Sequence, residues 1–63
     1  MNFLREERKR RGWSQVMLSL KTGGIAPSDL SAIERGKKVA HPGWRKRIAR
    51  ALKVDEATLF GDK

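Results

Sequence analysis

Apolar positions along the chain recur at helical rather than strand spacing, and glycines and prolines cut the pattern into short pieces. No stretch alternates apolar and polar residues with period two, and β-branched residues are few. Five short helices are predicted. The first covers about residues 3–11, with Glu6 and Glu7 early and Lys9, Arg10 and Arg11 late, as the helix dipole favours; Gly12 ends it. The second starts at Ser14, a good N-cap, and runs to about Thr22, where Gly23 and Gly24 stop it. The third opens at Pro27, a favoured first helical residue, carries Asp29 in its first turn and ends at Gly36. After a loop over residues 37–43 the fourth covers about residues 44–52, and the fifth about 55–59 with Asp55 as its cap. One core is expected from Leu4, Trp13, Leu18, Ile25, Leu30, Ile33, Trp44, Ile48, Leu52, Val54, Leu59 and Phe60, each helix burying a stripe.

At 63 residues the chain reads as one domain, spanning residues 1–63, with no room for a separate ligand or catalytic domain. A core this small is marginal, and the absence of cysteine excludes disulfides and thiolate zinc sites as staples. One histidine does not build a metal cage, so neither metal nor cofactor is expected. With no tyrosine, one histidine and no nucleophile–base–acid set, an enzyme is not expected either. No apolar run approaches the ~20 residues that span a bilayer. The start of the chain lacks a signal-peptide apolar region, so the expected location is cytoplasmic.

Charge narrows the partner. Fifteen Lys and Arg against seven Asp and Glu give a formal net charge of +8, which calls for a polyanion. The excess is concentrated. From Arg35 to Lys53 there are eight basic residues and no acid. A solvated helix face usually mixes both signs, whereas a block this one-sided repels itself unless an anion binds. Membrane-surface association is a poor alternative, because Phe3 and Leu4 make only a thin apolar face beside the basic first helix.

The strongest motif runs from Ser14 to Gly36: Ser14, Gln15, Leu18, Ser19 and Gly23, then Ile25, Ala26, Pro27, Ser28, Leu30, Ser31 and the run Ile33-Glu34-Arg35-Gly36. It resembles the helix-turn-helix of the lambda repressor/Cro-like family, also called the xenobiotic-response-element family. Arg8, Gly12, Trp13 and the segments 49–52 and 59–60 extend the likeness over most of the chain. The resemblance implies an all-α, compact five-helix DNA-binding domain with the motif at helices two and three. The chemistry agrees: Ser19 is small enough for helix three to approach helix two, glycine permits the turn, and Leu30 and Ile33 anchor helix three while its other face stays free.

The resemblance also assigns residues. In this fold the second helix of the motif enters the major groove with its N-terminal residues at base edges. Here these are Ala26, Pro27, Ser28, Asp29 and Ala32, with Ser31 beside them. None is Arg, Lys, Asn or Gln, the side chains that read purines bidentately. Ser28 can donate or accept, Asp29 can accept from cytosine N4 or simply favour the helix dipole, and Pro27 and Ala32 can touch a thymine methyl. Gln15 matches the residue that grips the phosphate backbone and braces the next helix. Arg35, Lys37 and Lys38 follow the recognition helix, where the chain runs along phosphates, and Lys21 is a further candidate. Arg8 and Glu34 match a partly buried ion pair between helices one and three. His41 reads as a loop residue or a cap for helix four, or as a phosphate or minor-groove contact. Trp13 and Trp44 read as core.

Three further departures from the family's pattern stand out. Gly24 makes the turn one residue longer, which leaves the angle between helices two and three open. Glu7 sits where an apolar core residue is usual, with Phe3 or a shift in register available to compensate. Val16, Met17 and Leu20 occupy positions that are normally polar. They are either covered by Phe3 and the N-terminus or offered to a protein partner or another copy. The leading function is therefore a bacterial or phage transcriptional regulator, expected to be a repressor, that binds double-stranded DNA as a homodimer. The alternatives are an antitoxin, a restriction-modification controller, or a protein-interaction module that keeps the fold with little or no specific DNA readout.

Overall fold

Four of the five helices begin where a side chain or a proline settles a first-turn amide. A computed structural model of the chain describes residues 2–61 and contains five α-helices and, among these residues, no strand. They are α1 (Leu4–Arg10), α2 (Gln15–Lys21), α3 (Pro27–Glu34), α4 (Pro42–Leu52) and α5 (Glu56–Phe60). The Asn2 side chain starts α1: its Oδ1 accepts from the Leu4 N–H at 3.1 Å, and its Nδ2 donates to the Ile33 carbonyl at 2.8 Å. One amide thus caps α1 and ties it to the end of α3. Ser14 Oγ accepts from the Met17 N–H at 3.0 Å, the N-cap read from the sequence.

All five helices lie within two residues of the expected bounds, and two of the starts are informative. Helix α4 begins at Pro42, two residues before Trp44, because proline suits the first helical position and His41 Nδ1 accepts from the Trp44 N–H at 3.3 Å. Of the readings open for His41, the cap is the one seen. At α5, Asp55 occupies the cap position without a side-chain hydrogen bond, and its carbonyl instead accepts from the Leu59 N–H at 2.9 Å.

The core is built by all five helices. Leu4, Leu18, Ile25, Leu30, Ile33, Ala40, Ile48, Ala49, Leu52 and Leu59 are buried, and Trp13, Trp44, Val54 and Phe60 pack against them half-buried. Every residue expected inside is in this cluster. Ala40 and Ala49 are additions. Ala40 lies in the α3–α4 loop, where no helical period marks it, and is buried where Lys37 and Lys38 donate their backbone N–H groups to the Ala32 carbonyl. Glu7, at a position where the family pattern has an apolar residue, is held by two arginines. Arg11 Nη1 meets its carboxylate at 2.8 Å and Arg10 Nη2 at 3.4 Å, while Arg11 also donates to the Leu52 carbonyl. Phe3 does not fill that place: it stays half-exposed, with its N–H bound to the Leu59 carbonyl.

Helix α4 ends on Lys53, a side-chain-bearing residue with φ of 58°. Glycine adopts this left-handed conformation without the Cβ penalty. Lys53→Gly is therefore expected to raise stability by about 0.5–1 kcal/mol, read as a higher urea midpoint with an unchanged slope.

Candidate nucleic-acid interface

The motif is assembled around small residues. Ser19 and Thr22 are buried on the inner side of α2, and Thr22 Oγ donates to the Ser19 carbonyl at 2.8 Å. This satisfies the hydroxyl and lets α3 pack closely. The turn then takes two left-handed residues in succession, Gly23 at φ 85° and Gly24 at φ 107°. The Gly24 N–H reaches back to the Ser19 carbonyl at 2.9 Å, so the additional residue is absorbed at the C-terminus of α2. Ile25, buried behind it, returns the chain to the core. Arg47 of α4 closes the turn from outside by donating to the Gly23 carbonyl at 3.1 Å. A Cβ on Gly23 would lie 2.8 Å from that guanidinium.

Leu30 and Ile33 fix α3 to the core. This leaves Ala26, Pro27 and Ser28 exposed and Asp29, Ser31 and Ala32 half-buried along the free side. The candidate base-edge residues therefore share one accessible stretch at the start of α3.

Both acids of α3 are neutralised. Asp29 Oδ1 meets Lys38 Nζ at 2.9 Å across the helix-to-loop junction. Lys38 Nζ also lies 5.2 Å from the Trp44 ring centroid, within cation–π range. Glu34 accepts from Arg8 through both oxygens, Nε to Oε2 at 2.7 Å and Nη2 to Oε1 at 3.1 Å. Arg8 Nη1 donates to the Trp13 carbonyl at 2.8 Å, and Gln15 Nε2 donates to Glu34 Oε1 at 3.4 Å. The carboxylate, chiefly as hydrogen-bond acceptor, holds the Arg8 pKa above its ordinary value although burial opposes this. A raised pKa stabilises the fold below the unfolded-state value and is lost only as pH rises through the folded-state value. Both lie above the neutral range, so the pair persists there.

The five candidate phosphate residues do not all come together. Gln15 sits at the N-terminus of α2 beside Glu34, and Arg35, Lys37 and Lys38 lie on the exposed loop directly after α3. Lys21 is at the opposite end of α2, about 9 Å along the axis at ~1.5 Å per residue, with its ammonium 5.5 Å from the Trp13 ring centroid. Asn2 and Arg47, which brace α3 and the turn, were not singled out from the sequence. Each acts on a backbone carbonyl, a partner that carries no residue-type signal. Among the described residues no three His, Cys, Asp or Glu side chains gather as a metal site, and no helix is long and apolar enough to cross a membrane.

A five-helix domain with a closely packed helix pair, the second helix free along its N-terminal half, defines the helix-turn-helix class. A family model described as a helix-turn-helix domain matches residues 2–59, and the chain belongs to that family, within the Cro/C1-type lambda repressor-like group. The family is typically non-catalytic, and its domain implies DNA as partner. No curated protein and no solved structure matches the chain.

Arg8→Ala leaves Glu34 buried without its cation and is expected to cost about 3 kcal/mol in urea unfolding. Arg8→Met combined with Glu34→Leu removes both charges and is expected to recover most of that loss.

Proposed function

We propose that the protein is a transcriptional regulator, acting as a repressor, that places the start of α3 in the major groove of operator DNA. Two copies bind half-sites about one turn (~34 Å) apart. The observation that carries this reading is the charge arrangement around α3. Its acids are held by Lys38 and Arg8, so the free face offers no uncompensated carboxylate to a phosphate backbone, while Arg35 and Lys37 stand exposed beside it. Ser28, Asp29, Ser31, Ala32 and Pro27 face the base edges; Gln15, Arg35, Lys37 and Lys38 meet phosphates, with Lys21 at the far end of α2. The Lys38 ammonium has three N–H donors and can hold Asp29 and a phosphate together.

A second reading has its own observation. Residues 27–34 contain no Arg, Lys, Asn or Gln, so bidentate base recognition is missing from α3. An antitoxin or other protein-interaction module that keeps the fold accounts for that. Under the first reading, specificity rests on serine contacts, thymine methyls, half-site spacing and DNA shape instead.

Fluorescence anisotropy with a random duplex separates the two. Arg35, Lys37, Lys38 and Lys21 on phosphates give a slope of log K against log salt of about −3.6. No binding at low salt favours the second reading. Lys37→Ala is expected to reduce the slope by about 1. Lys38→Ala is expected to weaken binding more, because it also uncovers Asp29, and adding Asp29→Asn is expected to bring affinity back to the Lys37→Ala level. Equal effects of the two lysine substitutions would remove Asp29 from the interface.

A further inference from the structure

We propose that the outer face of α2 docks an acidic amphipathic segment of a partner protein. Val16 is 60% exposed, Met17 40% and Leu20 70%. These three residues of a seven-residue helix share one side, opposite the face that buries Leu18 and Ser19. Among the described residues nothing covers them fully, since Phe3 is engaged at α5 and is itself 49% exposed. A contiguous apolar stripe with a charged border is the usual mark of a contact surface.

The border decides the occupant. At one end two cations lie against the Trp13 ring, Lys21 at 5.5 Å and Arg11 at 5.8 Å from its centroid. At the other, Arg47 and Arg50 line a shallow cleft that no acid among the described residues enters. Of the two acids preceding α2, Glu7 is already held by Arg10 and Arg11, and the exposed Glu6 lines a separate pocket with Asn2, Arg5 and Arg35. A segment that lays apolar side chains on Val16 and Leu20 therefore meets cations on both flanks, which carboxylates at its edges complement. A second copy fits poorly. Three apolar side chains fall well short of the ~800 Å² per partner of a stable interface, so ionic contacts must add to them. A symmetric pairing of a +8 chain sets like charges against each other instead.

Docking here also bears on DNA. Gln15, adjoining Val16, is a phosphate residue under the proposed function, and this part of the inference rests on that reading. Acidic side chains so close lie within a Debye length (~10 Å at 0.1 M salt) of bound phosphates. The partner and the duplex then weaken each other's binding by the same factor.

The probe is a synthetic two-heptad helical peptide with leucine on one face and glutamate on the other. Oligoglutamate of equal charge and a lysine-for-glutamate peptide serve as controls. Amide shifts centred on Val16, Met17, Leu20 and Lys21 are expected with the acidic peptide alone. The charge-preserving Val16→Gln, Leu20→Gln variant is expected to bind it at least about tenfold more weakly, with an unchanged melting curve and unchanged duplex binding. Equal binding of oligoglutamate, or shifts spread over all the basic residues, would overturn the proposal. So would shifts at the stripe that follow protein concentration without peptide, or a variant that loses the duplex and keeps the peptide. Peptide binding without any duplex binding would instead overturn the proposed function and leave the docking surface standing.

Discussion

The domain depends on the ion pair between Arg8 and Glu34. Glu34 is nearly sealed from water, with 3% of its side chain exposed, and Arg8 retains 11%. Such burial is costly to both charges unless the geometry is good and the remaining donors are used. Here the guanidinium bonds both carboxylate oxygens, spends a further N–H on the Trp13 carbonyl, and Gln15 adds a bond to Glu34. One knot thereby joins α1, the loop before α2, the start of α2 and the end of α3. Apolar packing holds the helices together, but it is non-directional. The ion pair fixes which way α3 faces.

The same economy extends to the remaining charge. Glu7, Asp29, Glu34 and Glu56 are each engaged with at least one arginine or lysine, at Arg10 and Arg11, Lys38, Arg8 and Arg45 respectively. These four carboxylates, which would repel a polyanion, are compensated within the fold, while Glu6 and Asp55 stay exposed and the cationic excess is left on the surface. A domain of this size carrying +8 pays in self-repulsion for that excess, which phosphate neutralisation relieves. Stability and DNA affinity therefore draw on one arrangement of charge. Under the proposed function, substitution of Lys38 is expected to act on both, because it also uncovers Asp29, whereas Lys37, exposed on the loop, is expected to act on affinity alone.

Much of the architecture was legible because it is written in local signals. Ser14 before α2 and Pro27 at the start of α3 mark helix beginnings through backbone chemistry that needs no tertiary context. The spacing of Leu30 and Ile33, and of Ile48 and Leu52, marked the buried stripes. The Pro42 start of α4 is hard to read from sequence because proline and glycine also suit a loop, and only the His41 cap decides between them. Ala40 was missed because burial in a loop follows from how the chain folds over it. The Asp29–Lys38 pair joins a helix to a loop nine residues on, a distance at which charge pattern alone does not choose partners. Gly24 left the turn geometry open in the sequence. The fold absorbs it by a second left-handed residue bonded back to Ser19, with Arg47 closing over the neighbouring carbonyl.

Under the proposed function, this neutralised, braced α3 is the surface presented to DNA. An amide-resolved NMR titration of the protein with a short random duplex, at low and then moderate salt, tests it most directly. The account predicts shifts at Gln15, Ser28 to Ala32 and Arg35 to Lys38 that fade together as salt rises. Shifts absent from α3 and its following loop, or unaffected by salt, would contradict it.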